Sequence, residues 1–421
     1  MTTTDTVVIG AGHAGLAVST LLRSAGRDHV VLDRGRVAER WRTERWDSLH
    51  LLTPRWMTRL PGWLYTGPDQ EGFMSTAELV RYLERYARAF DVPVETGTPV
   101  LDVSQVGDDY RVATDRGTWR ARNVVVATGP WGTPRVPEPV RALHDDVSVV
   151  ASNAYRNPAS LPAGGVLVVG ASSSGLQIAD ELARAGRDVV LAVGRHTRMP
   201  RRYRGMDVFW WLERTGRLSR TIDDMPDPVA ARSEPSMQLL GRNERERFGA
   251  DLDLGALRRL GVRTVGHLAD AKGSNVWFRD DLHATTGAAE KRMHRFLDAV
   301  DRHIAQTGLE EEVWPATRPE PLPLPAPVRQ LDLRAEGIRT VVLATGYRPH
   351  HPWLRVPVTA PDGSIRQHRG ATDAQGLYVV GQRFQHRRDS GFIDGARHDA
   401  RAVVGHITGT AAVEPEPALE R

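Results

Sequence analysis

The chain opens on an apolar run, Thr6–Ile9, that ends at Gly10. After the glycine-rich stretch Gly10–Gly15, Ala17–Gly26 carries apolar residues at helical spacing and closes on a glycine, and a second apolar run follows at Val30–Asp33. Short β-branched runs bounded by glycine predict buried strands, and the spacing of three and four between them predicts a helix. Strand, glycine turn, helix and strand within about thirty residues make a βαβ unit with parallel strands. The same order returns at Val166–Gly170, Leu176–Gly186 and Val189–Arg195. Between the two units the pattern predicts an amphipathic helix over Ser75–Phe90 and strands at Pro93–Ser104, Tyr110–Thr114 and Thr118–Ala121. Asn123–Gly129, Thr340–Gly346 and Gly376–Gly381 read as buried strands that end at a glycine. Ile222–Glu312 is the least patterned stretch, although Glu290–Thr307 has helical spacing. Proline-rich breaks at Pro130–Pro139 and Pro315–Pro327 mark linkers or crossings.

Composition narrows the class. A chain of 421 residues, 40% hydrophobic and 26% charged, has room for two or three domains and fits a soluble globular protein. It has no apolar run long enough to span a membrane, and the first strand begins too early for a signal peptide. A cytoplasmic location is therefore expected. The net charge of +4 comes from arginine, since only Lys272 and Lys291 are lysines, and basic residues are interspersed with acids. No nucleic-acid partner is expected from that pattern. Cysteine is absent, which excludes disulfides, cysteine-ligated metals and the dithiol relay of a disulfide reductase. No His/Asp/Glu spacing points to a metal, and no Gly-x-Ser-x-Gly turn points to hydrolysis.

The glycine turns carry the chemistry. In GAGHAG, Gly10 permits a tight turn, Gly12 lets the backbone approach a pyrophosphate, and Gly15 lets the helix pack on the strand. The helix start at His13 and Ala14 offers free N–H groups to phosphates. Asp33, followed by Arg34, ends the second strand and can accept hydrogen bonds from ribose hydroxyls. GASSSG at Gly170–Gly175 repeats the turn with Ser172 in the middle position, followed by Ser173 and Ser174. Its second strand ends on Gly194 and Arg195, not on an acid. Arg195, helped by His196 or Arg198, suits a 2′-phosphate, which favours NADPH over NADH.

Taken in order, GAGHAG, the stretch Trp41–Gly62, VVVATGPW, YRNP, GASSSG, ATGYRP and GLYVVG resemble the class B flavin-dependent monooxygenases over roughly Thr6 to Ile407. The chain is similar to the bacterial CzcO-like flavoproteins, to plant YUCCA enzymes and to flavin-containing monooxygenases. The resemblance implies an α/β fold of two Rossmann-like dinucleotide-binding domains, one for FAD and one for NADPH, the second inserted into the first. Residues 1–157 would begin the FAD domain, and 158–348 would form the NADPH domain with a partly helical insert at 222–327. Residues 349–408 would return to the FAD domain, and 409–421 would be a tail. Gly10, Gly12, His13, Ala14, Gly15, Asp33 and Arg34 would hold FAD. Trp41, Arg42, Leu51 and Thr53 would lie along the flavin, with Gly129 and Gly381 turning the chain beside it. Gly170, Ser172, Ser173, Ser174, Gly175, Arg195, His196 and Arg198 would hold NADPH. The implied activity inserts one oxygen atom, through a flavin C4a-(hydro)peroxide, into a small organic substrate. A homo-oligomer is allowed. An NADPH-dependent reductase or oxidase, passing electrons to a quinone, carrier protein or oxygen, is the alternative; a non-catalytic flavin-bound sensor is a second.

Some positions depart from the family pattern. Where relatives carry an aromatic, a glycine and a histidine before the final aromatic Tyr155, this chain has Asp145, Val147 and Ala151. Leu52 replaces an asparagine of many heteroatom-oxygenating relatives. Both changes point away from a standard N- or S-oxygenase and leave the cofactor sites untouched. His50 is a candidate hydrogen-bond donor or proton shuttle, or else a support for the flavin loop. Phe209, Trp210 and Trp211 could wall a pocket or fill a core. Arg201, Arg202 and Arg204 could face phosphates or solvent. Arg387, Arg388 and Ser390 could bind an anion or pair with their neighbours.

Overall fold

The computed structural model describes residues 1–241 and 251–411; residues 242–250 of the expected insert, and the expected tail from 412 onward, lie outside the described residues. β1 (Thr2–Ile9), α1 (His13–Ser24) and β2 (His29–Leu32) form the first βαβ unit, with β1 and β2 parallel. The helix expected over Ser75–Phe90 is α2 (Thr76–Ala89). Its start is set by a reciprocal capping box between Ser75 and Glu78. β3 (Val94–Glu95), β4 (Val100–Val106), β5 (Asp109–Thr114) and β6 (Gly117–Val126) complete a sheet ordered β3-β2-β1-β6-β5-β4. The two strands expected at Thr118–Ala121 and Asn123–Gly129 are this one strand, β6. Arg120 and Arg122 interrupt the apolar run, but both are exposed, so the strand continues through them.

A second, all-parallel sheet follows. It contains β7 (Ser148–Ala151), β8 (Gly165–Val169), β9 (Val189–Ala192) and β10 (Arg263–Val265), with α3 (Ser173–Arg184) between β8 and β9. A small antiparallel sheet is built from β11 (Leu268–Lys272), β12 (Asn275–Phe278) and β13 (Gln330–Asp332), and α4 (Leu282–Thr307) lies between β12 and β13. β14 (Ile338–Leu343) then enters the second sheet, whose order is β7-β14-β8-β9-β10. Pairing thus puts Ser148–Ala151 in the second sheet, ahead of the division expected after residue 157. α4 starts at Leu282, not Glu290, because Leu282, Thr286, Ala289 and Met293 share one buried face. That packing outweighs the weak helix propensity of Thr285 and Gly287. Finally β15 (Leu377–Val379) pairs in parallel with β6, and α5 (Ile393–Thr408) follows.

Strand alternation builds the layers. Val8, Val31 and Val125 face a core shared with Leu16, Leu21, Tyr82, Tyr86 and Val403 of the helices. Val7, Ile9, Val30, Val124 and Val126 face the opposite core with Val103, Tyr110 and Val112. The second sheet repeats this, with Val166, Val168 and Leu191 on one face and Leu167, Val169 and Val190 on the other. Each fully buried side chain of this kind contributes roughly 1.5–3 kcal/mol. Trp41 packs against both the first helical core and the corresponding core of the second sheet, so it joins the two. The chain crosses between the sheets twice. The crossings pair antiparallel, Thr133–Pro134 with Tyr347–Arg348, and the Trp131 ring meets Tyr347 edge-on at 5.4 Å.

Candidate functional site

The first glycine turn combines closure with openness. Gly10 has φ +113°, a conformation that favours glycine, and an added Cβ would stand 2.7 Å from the Ala127 carbonyl oxygen. A Cβ on Gly12, by contrast, would meet nothing within 4 Å. No side chain caps α1 at Gly12, so its first-turn N–H groups and positive dipole end face that open space. His13 Nε2 is enclosed and has no hydrogen-bond partner among the described residues. Burial pushes this imidazole down to about 4, so it stays neutral and can hydrogen-bond a ligand. Asp33 is fixed beside the turn: Oδ2 accepts from Ala11 N at 2.7 Å and Oδ1 from Gly35 N at 2.8 Å. Its remaining lone pairs can take ribose hydroxyls. Arg34, paired with Glu44 at 2.8 Å, lines a cavity of about 680 Å³ beside Gly35 and Gly97. These features fit a dinucleotide.

The second turn has the same construction. Gly170 has φ +110°, and α3 starts at Ser172 without a side-chain cap. Ser172, Ser173 and Ser174 are half-buried around that open helix end, while Gly175 is buried. Both apolar strands ending in Ala-Thr-Gly serve these turns. A Cβ on Gly15 would lie 3.2 Å from the Ala127 Cβ, and one on Gly175 would lie 3.3 Å from the Ala344 Cβ. Each alanine therefore backs one turn, where a larger side chain would displace the helix. Gly381 is brought in as well: its Cβ would stand 2.8 Å from that of Ala14. Gly129, at φ +74°, turns with nothing within 4 Å of its Cβ position.

The Leu51–Thr53 segment is clamped from both sides. Leu51 N donates to Met74 O at 2.8 Å, and Arg201 Nη1 donates to Leu52 O at 2.7 Å. Arg201 is buried and paired with buried Asp207 at 2.6 Å, its guanidinium 4.1 Å from the Phe73 ring centroid. Arg42 is not brought to this group; it pairs with Glu84 of α2 at 2.5 Å. His50 supports the loop, with Nδ1 at 3.0 Å from Ser48 O and a backbone bridge to Ser75.

The three cations expected at the 2′-phosphate separate. Arg195 is exposed, and its backbone N donates to His267 Nε2 at 3.3 Å, the His267 ring being held by Asp281 at 2.6 Å. His196 is buried with Nδ1 at 2.9 Å from Gly194 O, and burial lowers its pKa, so it brings no positive charge to a phosphate. Arg198 is buried between Asp253 at 2.9 Å and Glu290 at 3.0 Å, and it also donates to Glu320 O at 3.0 Å. Two carboxylates and a carbonyl already occupy it. Of the three, only Arg195 is exposed, and its guanidinium donates to Ser233 O at 2.8 Å.

The remaining candidates resolve to structure. Arg202 pairs with Glu71 at 3.6 Å and Arg204 with Asp301 at 3.3 Å. Phe209 and Trp211 are buried in a core with Phe296 and Leu297, and Trp210 packs at its edge. Arg387 pairs with Asp389 at 3.0 Å and Arg388 with Glu234 at 2.5 Å, while the Ser390 hydroxyl accepts from Arg387 N at 2.9 Å. Sequence reasoning missed buried Gln238, which donates to Ala171 O at 2.7 Å and so holds its segment over the second turn. It also missed Arg40, which donates to the Thr128 carbonyl at 3.3 Å behind the first. Neither sits in a local motif that could have marked it. Among the described residues, no helix is long and apolar enough to cross a membrane, and no group of three or more metal-ligating side chains is assembled.

Residues 7–212 match the model of a family described as pyridine nucleotide-disulphide oxidoreductase. Over 407 residues the chain is 30% identical to a CzcO-like oxidoreductase of Geobacillus kaustophilus (strain HTA426), covering 96% of this chain and 98% of that one. It is 30% identical over 210 residues to the probable indole-3-pyruvate monooxygenase YUCCA1 of Arabidopsis thaliana, covering 48% of this chain and 50% of that protein. A flavin-containing monooxygenase from Stenotrophomonas maltophilia superposes with a TM-score of 0.66 at 21% identity, over 97% of this chain and 99% of that one, a likeness of fold. With no cysteine in the chain, the disulfide chemistry in the family model's description has no thiol here to carry it. The protein is an enzyme that uses FAD and NADPH, and it belongs to the class B flavin-dependent monooxygenases, beside the CzcO-like oxidoreductases.

Proposed function

We propose that the first glycine turn holds FAD, that the second holds NADPH, and that the enzyme inserts one atom of molecular oxygen into a small organic substrate. The first sheet with its returning strand is then the FAD domain, and the second sheet is the NADPH domain inserted into it. One observation carries the reading: two turns of the same construction end on opposite charges, Asp33 at one and Arg195 at the other. A carboxylate suits ribose hydroxyls and repels a 2′-phosphate, whereas a guanidinium attracts it. Bound there, FAD and NADPH would supply the hydride and oxygen chemistry that no side chain of the chain provides. The chain's own residues bind and orient. Gly12 and the open end of α1 receive the pyrophosphate, Asp33 fixes the ribose, and the clamped Leu51–Thr53 segment with Trp41 shields the reacting centre from water. Because no cysteine can take electrons from a reduced flavin, oxygen is the acceptor this reading favours. The indole-3-pyruvate named for the plant relative makes an aromatic 2-oxo acid the first substrate to try.

The test reduces FAD-loaded protein with NADPH in the absence of air and then mixes it with oxygen. A long-lived absorbance phase before the oxidised flavin spectrum returns is expected. Immediate reoxidation with one peroxide released per NADPH would refute oxygen insertion and favour an oxidase. For the coenzyme, Arg195→Ala should raise the KM for NADPH far more than that for NADH, and equal effects would contradict the assignment of Arg195.

A further inference from the structure

The turn after β15 holds an arginine whose charge no described residue answers directly. Phe384 adopts φ +47°, an unusual conformation for a residue with a side chain, so the turn Gly381–Phe384 is held against a local preference. Buried Gln385 holds it: Nε2 donates to Val379 O at 2.9 Å, and Oε1 accepts from Gln382 N at 3.2 Å. Arg383 is thereby fixed, half-buried, and among the described residues its guanidinium makes no hydrogen bond and no ion pair.

Three consecutive residues join this turn to Arg195. Arg232 Nε donates to Phe384 O at 3.4 Å, Ser233 O accepts from Arg195 Nη2 at 2.8 Å, and Glu234 pairs with Arg388 at 2.5 Å. Arg383 thus lies near the Glu234 carboxylate that Arg388 already holds and that Arg217 and Arg292 also feel, while Arg232 and Ser233, the two residues before Glu234, tie Phe384 and Arg195 to the same stretch. Burial, with Arg388 and Arg195 nearby, pulls the Arg383 pKa below the ordinary arginine value, while Glu234 opposes the shift. An excess of guanidinium charge at a half-buried seam is stabilised by an anion.

We propose that Arg383 is a second reader of the coenzyme's 2′-phosphate, reaching from the return segment of the first unit to the site that Arg195 opens in the second. The inference rests on the assignment of Arg195 to that phosphate. A phosphate monoester carries up to two negative charges near neutrality, which two guanidiniums match. NADPH would then tie the two units together in a way that NADH would not.

The experiment measures binding to FAD-loaded protein by calorimetry, with 2′,5′-ADP as the phosphate probe and 5′-ADP as the control lacking the 2′-phosphate. Arg383→Gln should weaken 2′,5′-ADP by about ten- to a hundredfold, as expected for lost charged hydrogen bonds. Binding of 5′-ADP should not change, and Arg383→Lys should recover part of the loss. Unchanged binding of 2′,5′-ADP, or an equal loss for both probes, would overturn the role of Arg383. Arg195→Ala is measured alongside. If it too leaves the preference for 2′,5′-ADP intact, the coenzyme assignment fails and this inference falls with it. If it abolishes the preference while Arg383→Gln is silent, only the role of Arg383 is lost.

Discussion

A Cβ on Gly15 would stand 1.9 Å from the carbonyl oxygen of Gly10, so α1 rests on the end of β1 at a distance that only a hydrogen on Gly15 allows. The same contact recurs in the second turn, where a Cβ on Gly175 would lie 1.8 Å from Gly170 O. The clash is with backbone, which has no rotamer to escape into. Gly12 differs in kind, because its open side touches no protein atom.

That contrast yields paired outcomes. Gly15→Ala should lower the melting temperature and yield protein without flavin absorbance, since overpacking of this sort costs about 1–3 kcal/mol or more. Gly12→Ala should keep the FAD-free fold within about 1 kcal/mol of the parent, the modest cost of alanine at a helix start, and yet lose FAD. Differential scanning calorimetry and flavin absorbance read both. Normal FAD content in Gly12→Ala would show that no pyrophosphate uses the space beside it.

Arg198 separates stability from coenzyme choice. Its buried guanidinium lies between half-buried Asp253 and Glu290, so Arg198→Met should cost on the order of 2–3 kcal/mol by leaving both carboxylates without their counter-charge. The ratio of the KM values for NADPH and NADH should stay at the parent value. Urea unfolding and steady-state kinetics check the two halves. A loss of NADPH preference like that of Arg195→Ala would restore Arg198 to the phosphate site.

Asp399, fully buried on α5, governs a pH dependence. Burial pushes its carboxyl up to about 7, against an opposing pull from the Ser390 hydroxyl. Between the ordinary carboxylate range and that value, the folded protein holds a proton that the unfolded chain has released. Stability from this group is therefore complete at low pH and is lost as pH rises through that window. Asp399→Asn cannot ionise, so it should exceed the parent in stability at about pH 8 by on the order of a few kcal/mol, with the gap closing toward about pH 4. Melting curves of the FAD-loaded proteins across that range test it. Parallel curves would show that Asp399 does not titrate there.

Much of the molecule was legible from local pattern. The βαβ starts at β1 and β8 follow from short apolar runs and the glycines after them, and the amphipathic run from Ser75 announces α2, whose reciprocal cap with Glu78 the structure supplies. The pattern misled where local and global preferences disagree. Exposed arginines split β6 in the sequence, Thr285 and Gly287 hid the first turns of α4, and Ser148–Ala151 gave no sign of which sheet it would join.

By itself the sequence determined that there are two glycine turns at two helix starts, one followed by an acid and the other by an arginine. Backbone conformation at glycine and the open end of a helix are set by neighbours along the chain, so they can be read there. Tertiary structure alone decided that Ala127 and Ala344 back those turns, that Arg198 and Arg201 are paired with acids, and that Arg195 is exposed with its guanidinium on Ser233. Charges pair through space. Which guanidinium is left for a phosphate is settled only when the fold has brought the carboxylates to the others.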